Sequence, residues 1–542
     1  MSQAPPPCCH ALNPGRKASP KVDFGAELRR QAAPGHAEAA ARLASLLTDA
    51  RNALRLETLA GSDDRFGSVD DIAAFVQQLV VYLSLVKGFS SSPSTETPAV
   101  PNSTAVTDTP ADPSSSTVTD TTAEALRQPL VDESETPEAE PAKQEEQPPT
   151  KQESRSACLN FCRWSDALSD AQVVALNARQ EYAQVLLASG IFLMNVARVK
   201  TDALLSQRLN ELDEAQLKLA YQLMLHASGL LEACLESIGV VPRSIGAAAV
   251  DLDESAGGEA SVEQVLVDGD AMTKWRDEQR QAQQHGAETD EDARKDLELL
   301  DRVPDLANGH FPQLLQWLAL AQAQELVLLR GVSREFVDNA LMARLAVDLS
   351  SRYKECATFA ARSLPCATSQ VADRARLYCA FKSPYYLTLS VYFQGAAAMS
   401  KDEAAGCALA IADFKKAKAF VDQQAVPREQ EYERKLAAQK EEKDRVSLLH
   451  DVFQRLPQVI DRDLDIMTHR NDSVYYEPVP APDAPADPLS LVRAVTVPLI
   501  QPNPIWSDRE VATSLQPPKP GQADAEVSSK PREGCCQSCT IM

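Results

Sequence analysis

The sequence predicts an all-α fold: a curved helical solenoid of packed antiparallel helix pairs. Three observations lead there. Aliphatic residues recur at three- and four-residue spacing through long stretches poor in Pro, which is the helical period, and β-branched alternation is scarce. The candidate helices are roughly 20 residues long and joined by short polar turns, which places neighbours antiparallel and lets the pairs stack. No clean fixed period repeats along the chain, so the stacking is expected to be irregular.

In chain order, residues 1–20 begin with Pro5-Pro6-Pro7, lack the apolar core of a signal peptide and are expected to be disordered. A helical domain is expected over 21–503. Its most apolar run, Leu79 to Val86, is too short to cross a bilayer. From about 90 to 156 the chain is Ser/Thr/Pro/Glu-rich and free of aromatics, the composition of a disordered insertion. Ser169-Asp170-Ala171-Gln172 reads as a capping box opening a long helix through Val173 to Ala197. Glu214 to Ile238 carries an apolar stripe through Leu217, Ala220, Leu223, Ala227, Leu231 and Cys234. A second disordered insertion, acidic, spans about 250–298. Pro312 to Arg330 is apolar nearly all round and should lie inside a bundle. Ser400-Lys401-Asp402-Glu403 reads as another capping box, before a helix with Cys407, Ile411, Phe414 and Lys418 on one face. Residues 504–542 are expected to form a flexible tail.

The chain has 542 residues and a net charge of -23, from 54 basic and 77 acidic side chains. That balance argues against nucleic acid as a partner and against purely electrostatic attachment to anionic lipid. Twelve cysteines, single or in adjacent pairs at the two ends, in a chain this long point to a reducing cytosol. The final residues Cys539-Thr540-Ile541-Met542 form a C-a-a-X box whose terminal Met directs farnesylation of Cys539, and Cys535 and Cys536 are palmitoyl candidates. One lipid chain binds a membrane only marginally, on the order of 10⁴ M⁻¹, so these thiols would supply the second signal. The alternative is a zinc or redox site, since Cys536 and Cys539 are also a C-x-x-C, but no second ligand pair accompanies them. Cys8 and Cys9 are open to acylation in principle, while Ser2 rules out the usual myristoylation motif. No string for a phosphatase loop, a P-loop, a zincin or a nucleophile elbow occurs, so neither catalytic residues nor cofactor nor metal are expected.

Within Pro312 to Arg330 stands the string Leu320-Ala321-Gln322-Ala323-Gln324-Glu325. Its small residues allow close helix approach, and its buried amides and carboxylate need partners, as a packing network or as a catalytic group. The string resembles the hallmark of the Bro-one domain family, the ALIX- and Brox-like proteins. Other motifs are similar to the family's in the same order. They are Trp164-Ser165-Asp166-Ala167, Leu217-Lys218-Leu219-Ala220 with Ala227-Ser228-Gly229, Ala343-Arg344-Leu345-Ala346 with Tyr353, Gly406 with Ile411-Ala412, and Asn471-Asp472 through Val479-Pro480. Together they run from about Lys21 to Asn503, with both insertions between matched helices. The prenylated, Brox-like branch is nearest in layout.

The resemblance implies a non-enzymatic scaffold with a possible small N-terminal β element. Its groove would receive the C-terminal amphipathic helix of an ESCRT-III subunit of the charged multivesicular body class, in endosomal sorting and membrane remodelling. Carried over, the family's patch falls on Val327, Leu341 and Leu345, with Ala340 as the alternative to Leu341 if one extra residue lies between Gly331 and Asn339. Each of the three could equally be a core aliphatic. The expected location is cytoplasmic, peripheral on the cytosolic face of endosomal or other membranes through the lipid anchor. The competing reading keeps the scaffold but makes it a prenylated adaptor for a signalling or cytoskeletal partner, with Pro517-Pro518-Lys519-Pro520 a candidate recruiting segment.

Overall fold

Helix follows helix along the chain, and most pack against the next. The computed structural model describes residues 8–9, 11–56, 65–90, 158–169, 172–174, 177–206, 211–245, 303–437 and 443–515. Beyond Ser90, the expected insertions at about 90–156 and 250–298 lie outside the described residues, as does the tail from 516 with Cys535, Cys536 and Cys539.

Among the described residues the helices are α1 (Phe24–Gln31), α2 (Ala37–Leu54), α3 (Val69–Lys87), α4 (Ala178–Leu205), α5 (Glu214–Ser237), α6 (His310–Val332), α7 (Asn339–Ser363), α8 (Gln370–Met399), α9 (Ala404–Phe420), α10 (Val426–Ala437), α11 (Lys443–Arg470) and α12 (Arg509–Thr513). Several begin on the side chains that physics favours at that position. Asn177, Asp213, Asp338 and Ser369 each accept a backbone N–H of the first turn of the helix that follows. Antiparallel pairing shows in contacts that run in opposite directions along two helices. Ser350 of α7 meets Ser383 of α8, while Ala343 meets Ser390. The Gln316–Glu232 and Arg330–Glu214 contacts set α6 against α5 in the same way. The α3 and α4 helices are long and apolar enough to cross a membrane by length and composition, yet α4 is buried nearly all round between α3 and α5.

Two sequence expectations need correction. Gln172–Val174 is not a helical turn but strand β2, antiparallel to β1 (Arg163–Ser165), and α4 starts at Ala178 under the Asn177 cap. Val173-Val174 favours an extended backbone over the helical turn that the capping pattern suggested. Ser400 ends α8 rather than capping α9, and Glu403 at the α9 N-cap makes no side-chain cap bond. Residues 21–56 fold as α1 and α2, and their only bridge among the described residues joins Ala32 to Leu515.

Both domain boundaries move outward. Instead of a disordered start over 1–20, the described residues 8–9 and 11–20 are packed, with Cys8, Cys9, Leu12, Lys17 and Ser19 buried. Lys17 pairs with Asp305 and donates to the Ser165 carbonyl, fixing the segment against β1. Residues 504–515 likewise belong to the folded part, since Trp506 Nε1 donates to the Leu85 carbonyl at 3.0 Å and its ring meets Phe89 edge-on.

The largest surprise lies between these ends. After α11 and one π turn (Asn471–Tyr475), residues 476–503 take up no helix or strand. They form a strap that returns across the helices one after another. Lys416 of α9 and Gln394 of α8 donate to the carbonyls of Asp483 and Ala484. Leu489 N donates to the Arg344 carbonyl on α7, and Val495 N to the Leu225 carbonyl on α5. Lys87 of α3 donates to the Ile500 carbonyl at 2.6 Å, and Ala33, just after α1, donates to the Ser514 carbonyl at 2.7 Å. Two glycines let it lie that close. A Cβ on Gly229 would sit 1.8 Å from the Val495 oxygen, and one on Gly88 2.0 Å from Trp506 Nε1.

Candidate partner-binding face

On α6 the polar trio of the hallmark string is buried and engaged. Glu325 Oε1 accepts from Tyr353 and from Lys382, each at 2.7 Å. Lys382 also donates to the Cys8 carbonyl, to which Tyr386 donates at 3.1 Å, and the Cys9 thiol points at the Glu325 carbonyl at 3.4 Å. Burial raises the Glu325 pKa above the usual carboxylate range, and Lys382 pulls it partly back. Burial, with the Glu325 charge beside it, also pushes the Cys9 thiol up, which disfavours the thiolate needed for chemistry. Gln324 clamps the strap at two points: Nε2 donates to the Leu489 carbonyl at 2.8 Å and Oε1 accepts from Leu491 N at 3.1 Å. Gln322 reaches the Tyr378 hydroxyl at 3.5 Å. Of the two readings of this trio, the arrangement matches the packing network.

The other motifs do similar work. Trp164 Nε1 donates to Glu181 at 2.6 Å, and Arg51 and Tyr82 hold the same carboxylate at 2.7 and 2.8 Å. Asp166 accepts from Leu168 N and Ser169, turning the chain beyond β1. Asn471 closes the π turn by bonding both the N–H and the carbonyl of Glu477.

The three apolar residues carried over as a patch do not share one environment. Leu345 is fully buried, so its place in the patch is corrected: it belongs to the stripe Met342, Leu345, Leu349 that faces the core. Val327 and Leu341 are half-buried, and Ala340 is exposed. Val327 follows Gln324 by three residues, and Leu341 precedes Arg344 by three, so both lie on the faces whose polar neighbours grip the strap. They stand beyond its crossing, toward the turn joining α6 to α7. That turn presents Phe336 at 85 % exposure, the most exposed large apolar side chain among the described residues. Arg330, paired with Glu214 at 3.0 Å, and Arg344 border this region. Phe336 went unnoticed in the sequence because a single aromatic in a short turn carries no periodic signal. Among the described residues, no group of three or more His, Cys, Asp or Glu side chains could hold a metal ion.

Residues 294–516, the span from before α6 to just past α12, match the family model for the BRO1-like domain. That span is BRO1-like. Its fold is similar to a solved structure described as the structure basis for endosomal targeting by the Bro1 domain. The TM-score is 0.50 at 13 % identity, over 94 % of this chain and 97 % of that one. A search of curated proteins finds none that matches. The helical fold expected from the sequence is therefore shown, and the hallmark string lies within the matched BRO1-like span.

Proposed function

We propose that this BRO1-like chain is a membrane-anchored, non-enzymatic scaffold that captures the C-terminal amphipathic helix of an ESCRT-III subunit of the charged multivesicular body class. The observation that carries the reading is the pair Val327 and Leu341, apolar and half-exposed on adjacent antiparallel helices, beside the exposed Phe336. A helix laid across α6 and α7 would bury its aliphatic anchors there, while Arg330 and Arg344 meet its acidic flanks. The neighbouring structure described for endosomal targeting supports the same setting. A non-catalytic role agrees with a polar trio whose members already hold internal partners.

Farnesylation of Cys539, with palmitoylation of Cys535 or Cys536, would hold the domain at the cytosolic face of an endosomal membrane. Tethering raises the local concentration of the scaffold near its target, so a weak face suffices. Isothermal titration of the chain with a synthetic ESCRT-III C-terminal helix tests the face. Leu341→Asp and Val327→Asp should each weaken binding about tenfold or more, since burying an apolar anchor contributes roughly 1.5–3 kcal/mol. Full affinity in both variants rejects the assignment. Cys539→Ser should move the chain to the soluble fraction of cells, and retention on membranes would place the anchor elsewhere.

A further inference from the structure

The strap has two apolar edges with different surroundings. Between 476 and 496, Ala486, Leu489, Val492 and Val495 recur every third residue and are the apolar residues packed against the core. That spacing is the period of a polyproline II helix, which has three residues per turn and no internal hydrogen bonds. The composition suits it, with Pro478, Pro480, Pro482, Pro485 and Pro488 in thirteen positions, 476–488. One step round from the packed edge, Pro482, Pro485, Pro488 and Leu491 form a second row at the same spacing, and all four are exposed, Leu491 at 50 %. At about 3.1 Å per residue this ridge is about 28 Å long. The third edge, Ala484, Asp487, Ser490 and Arg493, is exposed too.

We propose that this outer ridge is a docking site for a polyproline-reading domain of the SH3 type, with an aromatic-lined groove and a basic rim. Such domains seat two edges of a polyproline helix and leave the third free. Here the edge such a domain leaves free is the packed one, Ala486, Leu489, Val492 and Val495, which is given to the helices. Gln394, Gln324, Arg344 and Lys416 hold the strap through its backbone, so the ridge is straightened before any partner arrives and its ordering entropy is already met. The sign of the partner's rim follows from the charges, since residues 476–488 carry Glu477, Asp483 and Asp487 and no Lys or Arg.

The ridge residues are distinct from Val327, Phe336 and Leu341 of the α6–α7 face, so either reading can fail alone. The test titrates the full-length chain against a panel of purified SH3 domains that differ in the charge of the groove rim. At least one with a basic rim should bind the full chain about tenfold more tightly than it binds a synthetic peptide of residues 476–493. Pro485→Ala with Pro488→Ala should remove that binding about tenfold or more, and Pro517→Ala with Pro518→Ala in the tail should leave it unchanged. Hydrogen exchange on the unmodified chain gives a second measurement that needs no variant: the bound domain should slow exchange over 483–495. Absence of any binder, binding that survives the strap substitutions or is lost with the tail ones, or no footprint over 483–495 overturns the proposal.

Discussion

Replacing Gln324 by Ala should free the strap locally while leaving the helices beneath it intact. The amide makes two hydrogen bonds, 2.8 Å to the Leu489 carbonyl and 3.1 Å from Leu491 N, and no water can take both places at once while the strap stays seated. A net hydrogen bond contributes about 1 kcal/mol, and each group left without a partner in a partly buried place costs a further 1–3 kcal/mol. Water reaches this strand of chain from outside, so the lower end applies and the loss is about 2 kcal/mol in the opening of the strap. At 1.4 kcal/mol per tenfold change, amide exchange should accelerate about 30-fold in peptides covering 489–495. Hydrogen exchange read by mass spectrometry measures it, and trypsin cleavage after the exposed Arg493 should rise in parallel. Gln324→Glu should fall between, since a carboxylate still accepts from Leu491 N but has no donor for the Leu489 carbonyl. Unchanged exchange over 489–495, or acceleration spread equally through α6 and α7, would refute the clamp.

Gly229→Ala should destabilise the domain by up to about 2 kcal/mol in chemical denaturation, because forcing a Cβ to 1.8 Å from the Val495 oxygen costs about 1–3 kcal/mol and the gain in helix propensity returns about 1 kcal/mol. Asp413 is buried and its carboxylate makes no hydrogen bond of good geometry; burial, then the charge of Asp483, pushes its pKa up to about 6, opposed by a weak hydrogen bond from the Asp483 backbone and by the Lys416 charge. Its folded-state pKa lies above the unfolded one, so stability falls as pH rises from about 4 to 6 and the strain is fully present at neutral pH. Asp413→Asn should therefore raise the unfolding midpoint at pH 7.5, by about 1 kcal/mol of stability, and the gap should close by about pH 4. Cys8 and Cys9 are each 1 % exposed, so a maleimide should label them only after denaturant is added; native labelling within minutes would contradict the packed N-terminal segment.

Long helices were readable because their stripes are periodic. The spans predicted at Glu214 to Ile238 and Pro312 to Arg330 fall within two residues of α5 and α6. The buried role of the hallmark trio was also readable, since apolar residues surround it on the helix. Pairwise detail was not. Leu341 and Leu345 sit four apart, which puts them on one side of a helix, yet the 40° between them is enough to leave one half-exposed and turn the other into the core. Serine boxes misled at Ser169 and Ser400 because the same residue types favour turns and helix ends, and the neighbouring Val173-Val174 and the close of α8 decided the outcome. The strap was missed because its bonds go to helix side chains and carbonyls far away in sequence. Local composition records only that it is rich in proline, a property it shares with linkers.

The contact of Ala33 N with the Ser514 carbonyl ties a segment made early in synthesis to one made 481 residues later. At roughly 5–20 residues per second, a nascent chain holds α1 and α2 for about 24–96 s before the ribosome delivers their last partner. Until then the grooves meant for the strap stay wet on α3, α5, α7 and α8. Premature stop codons anywhere in 476–515 should thus yield a polypeptide in which α1 to α11 can still form but whose surface keeps unmatched donors and apolar seats, a natural substrate for chaperones and for degradation.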